Sequence, residues 1–176
     1  MSIPADVTTP QLYNDTHFIF IQPPAPRLIV VGGVHIAQHL VPMARRAGLD
    51  VTLIDPRSSF ASEARFIDCT ILTDWPENAL KTMTFDAQTA LVTLTHDPKI
   101  DDDALLPALA SDLFYIAALG SRRTHEKRVA RLLAAGCNAD SIARIHAPAG
   151  LDIGSKDPAG IAISILAELI AKRNGK

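Results

Sequence analysis

Four short runs in this chain are almost wholly apolar: RLIVV (27–31), DVTLI (50–54), TALVTLT (89–95) and LFYIAALG (113–120). A strand with one wet face alternates apolar and polar residues. Runs without alternation fit strands buried on both faces, and such strands belong to parallel sheets covered by helices on either side. The segments between them have helical character. Val34 to Ala47 reads as a helix closed by Gly48, with Pro42 predicting a kink. DDDALLPALAS (101–111) begins with acidic residues that suit the positive end of a helix dipole. RTHEKRVARLLAAG (123–136) is amphipathic and ends on Gly136. Asp157 caps a last helix with Pro158 at its first position, and Ile161, Ile165, Leu166, Leu169 and Ile170 form its apolar stripe. ARFIDCTIL (64–72) holds a third strand, DWPENALKTM (74–83) a short helix and ARIHAP (143–148) a final strand. The expected fold is therefore α/β, a Rossmann-like three-layer arrangement around a mainly parallel sheet with right-handed crossovers.

Ahead of this alternation, residues 1–15 are polar and read as a loose arm. HFIFIQ (17–22) reads as a short strand, and Pro23, Pro24 and Pro26 form a stiff linker. The division is thus 1–26 (arm, strand and Pro-rich linker) and 27–176 (the α/β domain). With 176 residues, the chain can bury a sizeable core. A net charge of −2 and an aromatic content of 5% argue against a non-specific nucleic-acid binder. No apolar run is long enough to span a membrane, and MSIPADVTTPQL is not a secretory signal. Cys69 and Cys137 lie far apart without metal-ligand spacing, which fits a cytoplasmic setting and structural roles.

In an open parallel sheet, ligands bind beyond the carboxyl ends of the strands. The segments there are Gly32-Gly33-Val34-His35, Asp55-Pro56-Arg57, His96-Asp97-Pro98, Gly120-Ser121-Arg122-Arg123 and APAGLDIGSKD (147–157). Glycine and polar groups after each strand, all in register, point to a site along one edge.

The first segment has two readings. Its amides face an anionic phosphate, or Gly32 and Gly33 only make a tight turn and a close helix–sheet contact. Asp55 lies about twenty residues beyond Gly32, where a ribose-binding carboxylate belongs in a dinucleotide fold, but a turn residue before Pro56 reads the same way. Val34 replaces the middle glycine of that fingerprint and opposes close approach of a pyrophosphate. His35 sits in the first helical turn, beside the anion of the first reading. A metal shared with His39 is a lesser alternative. His96 and Asp97 form an acid–base pair, or Asp97 caps the next helix while His96 packs in the cleft. Arg122 and Arg123 at a helix start suit phosphate oxygens, whereas Lys127, Arg128 and Arg131 read as a solvated face.

Together GGVHIAQ, DPRSSFASEARF, TLTHDPKIDDDAL, AALGSRRTHEKRVARL and APAGLDIGSKDPAGIAISILAEL resemble the C-terminal Rossmann-like domain of the XdhC/CoxI family, over roughly residues 17 to 174. The resemblance implies an accessory protein that binds molybdenum cofactor (molybdopterin) and helps its sulfuration and insertion into a molybdenum hydroxylase such as xanthine dehydrogenase. By match it implies ligand positions at Gly32, Gly33, His35, Asp55, His96, Asp97, Gly120, Ser121, Arg122, Arg123 and the loop of Gly150, Asp152 and Gly154. Asp55 and Asp152 are candidate acceptors for pterin amino groups. The implied partner is the hydroxylase apoenzyme, with a cysteine desulfurase and a homodimer through the C-terminal helix left open. Longer relatives carry a domain before the proline linker, and HFIFIQPPAPRL reads as its tail. Three readings of function stand: a non-catalytic maturation factor, an NAD(P)-dependent oxidoreductase on the same fold, and a dimerising scaffold whose cleft is vestigial.

Overall fold

The computed structural model of the chain describes residues 11–14, 17–19 and 24–176. Two short strands come first, β1 (Gln11–Asn14) and β2 (His17–Ile19), paired antiparallel. The strand expected over 17–22 is thus seen at its start, and the rest lies outside the described residues. Gln11–Asn14, expected to be part of a loose arm, is strand.

Six parallel strands then build the domain. β3 (Arg27–Val31) leads through α1 (His35–Arg46) to β4 (Asp50–Ile54), and a loop returns to β5 (Thr70–Leu72). The chain continues through α2 (Pro76–Ala79) and a 3-10 turn at Leu80–Thr82 to β6 (Thr89–Thr93). After α3 (Pro98–Leu109) come β7 (Tyr115–Ala118), α4 (Arg122–Ala134), α5 (Ala139–Ile142), β8 (Ile145–His146) and α6 (Pro158–Arg173). The strand order is β5-β4-β3-β6-β7-β8, every neighbouring pair parallel. The chain builds outward from β3 to one edge, then crosses back and builds outward to the other. The crevice between β3 and β6 is where the strand order reverses, the position at which such sheets bind ligands.

The apolar runs behave as their lack of alternation requires. Leu28 and Val30 face α1 and α6, through Leu40, Val41, Ile165 and Leu169. Ile29, Val31 and Leu91 face the opposite layer, with Leu105 and Leu109 of α3 and Leu132 of α4. Both faces are dry, so both parities of each central strand are apolar. α1 continues through Pro42, which is exposed. ARFIDCTIL contributes only three residues to the sheet edge, and α5 has no counterpart in the expected order. α6 keeps its expected start: Asp157 accepts from the Gly160 N–H at 2.9 Å.

The central position of β6 sets a stability test. Leu91 is fully buried. Leu91→Ala is expected to cost about 2–5 kcal/mol by urea unfolding, as loss of side-chain transfer energy plus an unfilled cavity.

Candidate functional site

At the carboxyl edge of the sheet, the loops after β6, β7 and β8 close with the start of α1 around a cleft of about 570 Å³. His96, Gly120, Ser121, Arg122, Gly150, Asp152 and Gly154 line it, seven of the expected positions. Ile36, Leu119, Ile153 and Ile161 supply an apolar wall. Ile36 and Leu119 were not picked out from the sequence, Ile153 lies within the implied Gly150 to Gly154 loop, and Ile161 was read only as part of a helix stripe. Ile36 and Ile161 belong to the apolar stripes of α1 and α6, whose end positions reach past the core into the cleft.

Three carboxylates position the loops. Asp55, wholly buried at the end of β4, accepts from the Gly33 N–H at 2.8 Å, the Arg57 N–H at 3.0 Å, and Arg57 Nε and Nη2 at 2.9 and 2.7 Å. Burial pushes this carboxyl up, but the Arg57 side chain and the two backbone donors together hold it below its ordinary value. Asp101, in the first turn of α3, accepts from Thr95 Oγ1 at 2.7 Å, the Thr95 N–H at 3.2 Å and the His96 N–H at 3.1 Å. That grip holds His96 at φ 66, in the left-handed region. Burial raises the Asp101 carboxyl against these donors. Glu168 of α6 accepts from the Gly150 N–H at 3.0 Å and from Tyr115 Oη at 2.6 Å, and its other oxygen lies 3.0 Å from His146 Nδ1. Burial first, then the Glu168 contact, pushes the Tyr115 hydroxyl up, which keeps it a donor.

Other expected positions lie outside the cleft lining. Gly32 and Gly33 serve close packing. A Cβ on Gly32 would come 2.7 Å from Thr95 Cγ2, and one on Gly33 would meet the Phe60 carbonyl oxygen at 2.5 Å. Their amides are committed, Gly32 to the Ile54 carbonyl at 2.8 Å and Gly33 to Asp55. The four bonds to Asp55 fill the acceptor sites of a carboxylate, so it braces the turn from beneath. Val34 packs against the core. It caps α1 without a side-chain bond, so the first amides of that helix, which have no intrahelical partner, gain none from the cap. His35 is exposed and its Nδ1 lies 3.2 Å from Gln38 Oε1, and His39 is also exposed. Asp97 caps α3, accepting from the Lys99 N–H at 3.0 Å. Arg123 turns away from the cleft into a second cavity. In the cleft itself, the Ser121 hydroxyl caps α4 through the Thr124 N–H at 3.2 Å. Asp152 is exposed and accepts from the Gly154 N–H at 3.3 Å.

The profile described as the XdhC Rossmann domain matches residues 28–169. The chain belongs to that family. Among its relatives, a Bacillus subtilis (strain 168) protein named as a probable subunit of xanthine dehydrogenase is 32% identical over 92% of this chain and 48% of its own length. A molybdenum cofactor insertion chaperone, PaoD, of Escherichia coli (strain K12) is 29% identical over 85% of this chain and 41% of its own. The uncharacterized protein YqeB of the same organism is 27% identical over 89% of this chain and 29% of its own. A crystal structure described as a xanthine dehydrogenase from Bacillus halodurans superposes with a TM-score of 0.75 at 30% identity, over 87% of this chain and 44% of that one. The chain thus spans less than half the length of these XdhC-type relatives. No helix among the described residues is long and apolar enough to cross a membrane.

The Asp55 bracing makes a prediction with a pH signature. Asp55→Asn places a donor among donors, and about 2–3 kcal/mol of stability is expected to be lost at neutral pH. The folded-state value of Asp55 lies below the ordinary 3.8. The advantage of wild type over the variant is therefore complete above pH 3.8 and falls away as pH drops through that lower value. Urea unfolding of both proteins from acidic to neutral pH measures it.

Proposed function

We propose that this chain holds molybdenum cofactor in the cleft above β6, β7 and β8, and assists its sulfuration and insertion into a molybdenum hydroxylase such as xanthine dehydrogenase. The observation that carries the reading is the cleft, whose lining combines an apolar wall with cationic and amide donors in a chain of the XdhC family. The names of two relatives, an insertion chaperone for this cofactor and a probable part of xanthine dehydrogenase, agree with it.

The donor set fits a flat pterin carrying one phosphate. Ile36, Leu119 and Ile161 offer apolar surface to the ring faces. Asp152 is the carboxylate suited to ring amino groups, since the bonds around Asp55 are already filled. The Arg122 guanidinium and the unpaired amides at the starts of α1 and α4 suit a phosphate. The cofactor supplies the redox chemistry used by the hydroxylase, while these residues bind, orient and shield it. The hydroxylase in its apo form is the partner. Nothing among the described residues argues for a cysteine desulfurase or a second copy of this chain.

The NAD(P)-dependent alternative rested on Gly32 and Asp55. A filled Asp55 leaves no ribose acceptor in the usual pose, and Val34 in place of the middle glycine opposes the close backbone approach of a pyrophosphate.

Titration of the purified chain with molybdenum cofactor, and separately with NAD(H) and NADP(H), tests the reading. Saturable cofactor binding is expected, with nicotinamide binding absent. Arg122→Ala is expected to weaken it roughly 10- to 100-fold, the worth of a charged hydrogen bond. His35→Ala is expected to leave it unchanged. Tight nicotinamide binding without cofactor binding would reverse the assignment.

A further inference from the structure

A second cavity, of about 480 Å³, opens on the other side of His96 from the cleft, between the starts of α3 and α4. Arg123, Lys127, Arg128 and Arg131 line it, with Asp101 the single carboxylate. Arg123, Lys127 and Arg131 recur every fourth residue along α4, so like charges stack on one helix face. Such a stripe destabilises a helix unless something negative offsets it. Asp102 offsets Arg131, pairing with both Nε and Nη2. Among the described residues, Arg123 and Lys127 have no ion-pair partner.

Arg128 is the decisive member. It is 1% exposed, the largest wholly buried side chain among the described residues. Its Nη2 donates to the Leu119 carbonyl at 2.8 Å, but Nε and Nη1 are buried with no partner. Asp101 Oδ2 is 4.0 Å away, and that carboxylate is already held by Thr95 and His96. Buried donors are ordinarily paired, and an exception calls for a ligand or water. Burial lowers the pKa of Arg128, as expected of a cation short of negative charge.

We infer that this basic cavity is an anion site separate from the cleft, built to take a phosphate or diphosphate group. Guanidinium forks and an ammonium suit such a group because it presents several strong acceptors and more than one negative charge. His96 borders both cavities, so an anion here would lie against the wall of the cleft. The group is either a free small anion or the phosphoryl part of a ligand that also enters the cleft.

Calorimetric titration of the whole chain with sodium pyrophosphate at low ionic strength tests the site. One saturable event is expected. The Arg123→Ala/Lys127→Ala double variant should weaken it by roughly ten-fold or more, while its melting temperature without ligand holds or rises as like-charge repulsion is relieved. Arg122→Ala, in the cleft, should weaken pyrophosphate binding less than the double variant does. Repeating the titration with molybdenum cofactor present separates the sources. Competition identifies the anion as part of the cleft ligand, and simultaneous binding identifies it as a free anion; either outcome supports the site. Absence of saturable binding at millimolar pyrophosphate overturns it, as does a double variant that binds like wild type. Loss through Arg122→Ala equal to that of the double variant would move the anion to the cleft and also overturn it. A chain that binds pyrophosphate but no molybdenum cofactor would sink the proposed function and leave this site standing.

Discussion

The buried carboxylate of Asp55 carries the geometry of the whole sheet edge. Chain leaving a strand end loses its ladder partners, and a buried amide without a partner is costly. Asp55 resolves this for the Gly33 and Arg57 amides at once, and draws the Arg57 side chain over the Phe60 ring, 4.1 Å from its centroid. Asp101 does the same for Thr95 and His96, and Glu168 for Gly150. The three loops are therefore pinned to the scaffold by carboxylates rooted in or beside regular elements. A site held this way is organised before any ligand arrives, so little of the binding energy is spent on ordering loops.

The same device explains why the cleft is less acidic than its sequence neighbourhood. Asp55, Asp101 and Glu168 are turned inward and used up on loop amides and neighbouring side chains. What remains on the cleft side is Arg122, Asp152, free helix-start amides and apolar surface. Adjacent arginines are divided by the start of α4, with Arg122 on one cavity and Arg123 on the other. Successive residues of a helix diverge by about 100°, which here is enough to send this pair to different cavities.

Much of the fold was legible because burial on both faces leaves a plain mark. Leu28 to Val31 and Ala90 to Val92 are apolar at every position, and they are the centre of the sheet. Caps were legible where side chain and spacing agree, as at Asp157 with Pro158. The edges were less so. Thr70–Leu72 and Ile145–His146 are too short to impose a period, and α5 is a single turn capped by Asn138. In the site, the loops were legible as loops, but side-chain direction was not. His35 reads as a first-turn ligand and lies exposed against Gln38, and of the two readings left open for Asp97 the structure takes the helix cap. Arg128 reads as solvated and is the most deeply buried cation among the described residues. Its burial arises from α4 packing against α3, a more distant segment, while the Leu119 carbonyl just after β7 takes one of its donors.

By itself the amino-acid sequence determined the class of fold and the edge on which function gathers. Apolar runs of strand length, separated by helical segments, leave a parallel sheet as the way to bury both faces, and parallel strands deliver all their outgoing loops to one side. Only the tertiary structure decided which polar groups face the cleft and which are consumed beneath it. Asp55 and Asp152 are chemically alike, and each accepts from the amide two residues further on. Asp55 ends a central strand where buried amides and Arg57 converge on it, whereas Asp152 lies in an exposed turn with a single backbone donor. Arg57 is a sequence neighbour, but the burial of Asp55 and the Gly33 amide it accepts from exist only once distant segments are packed together.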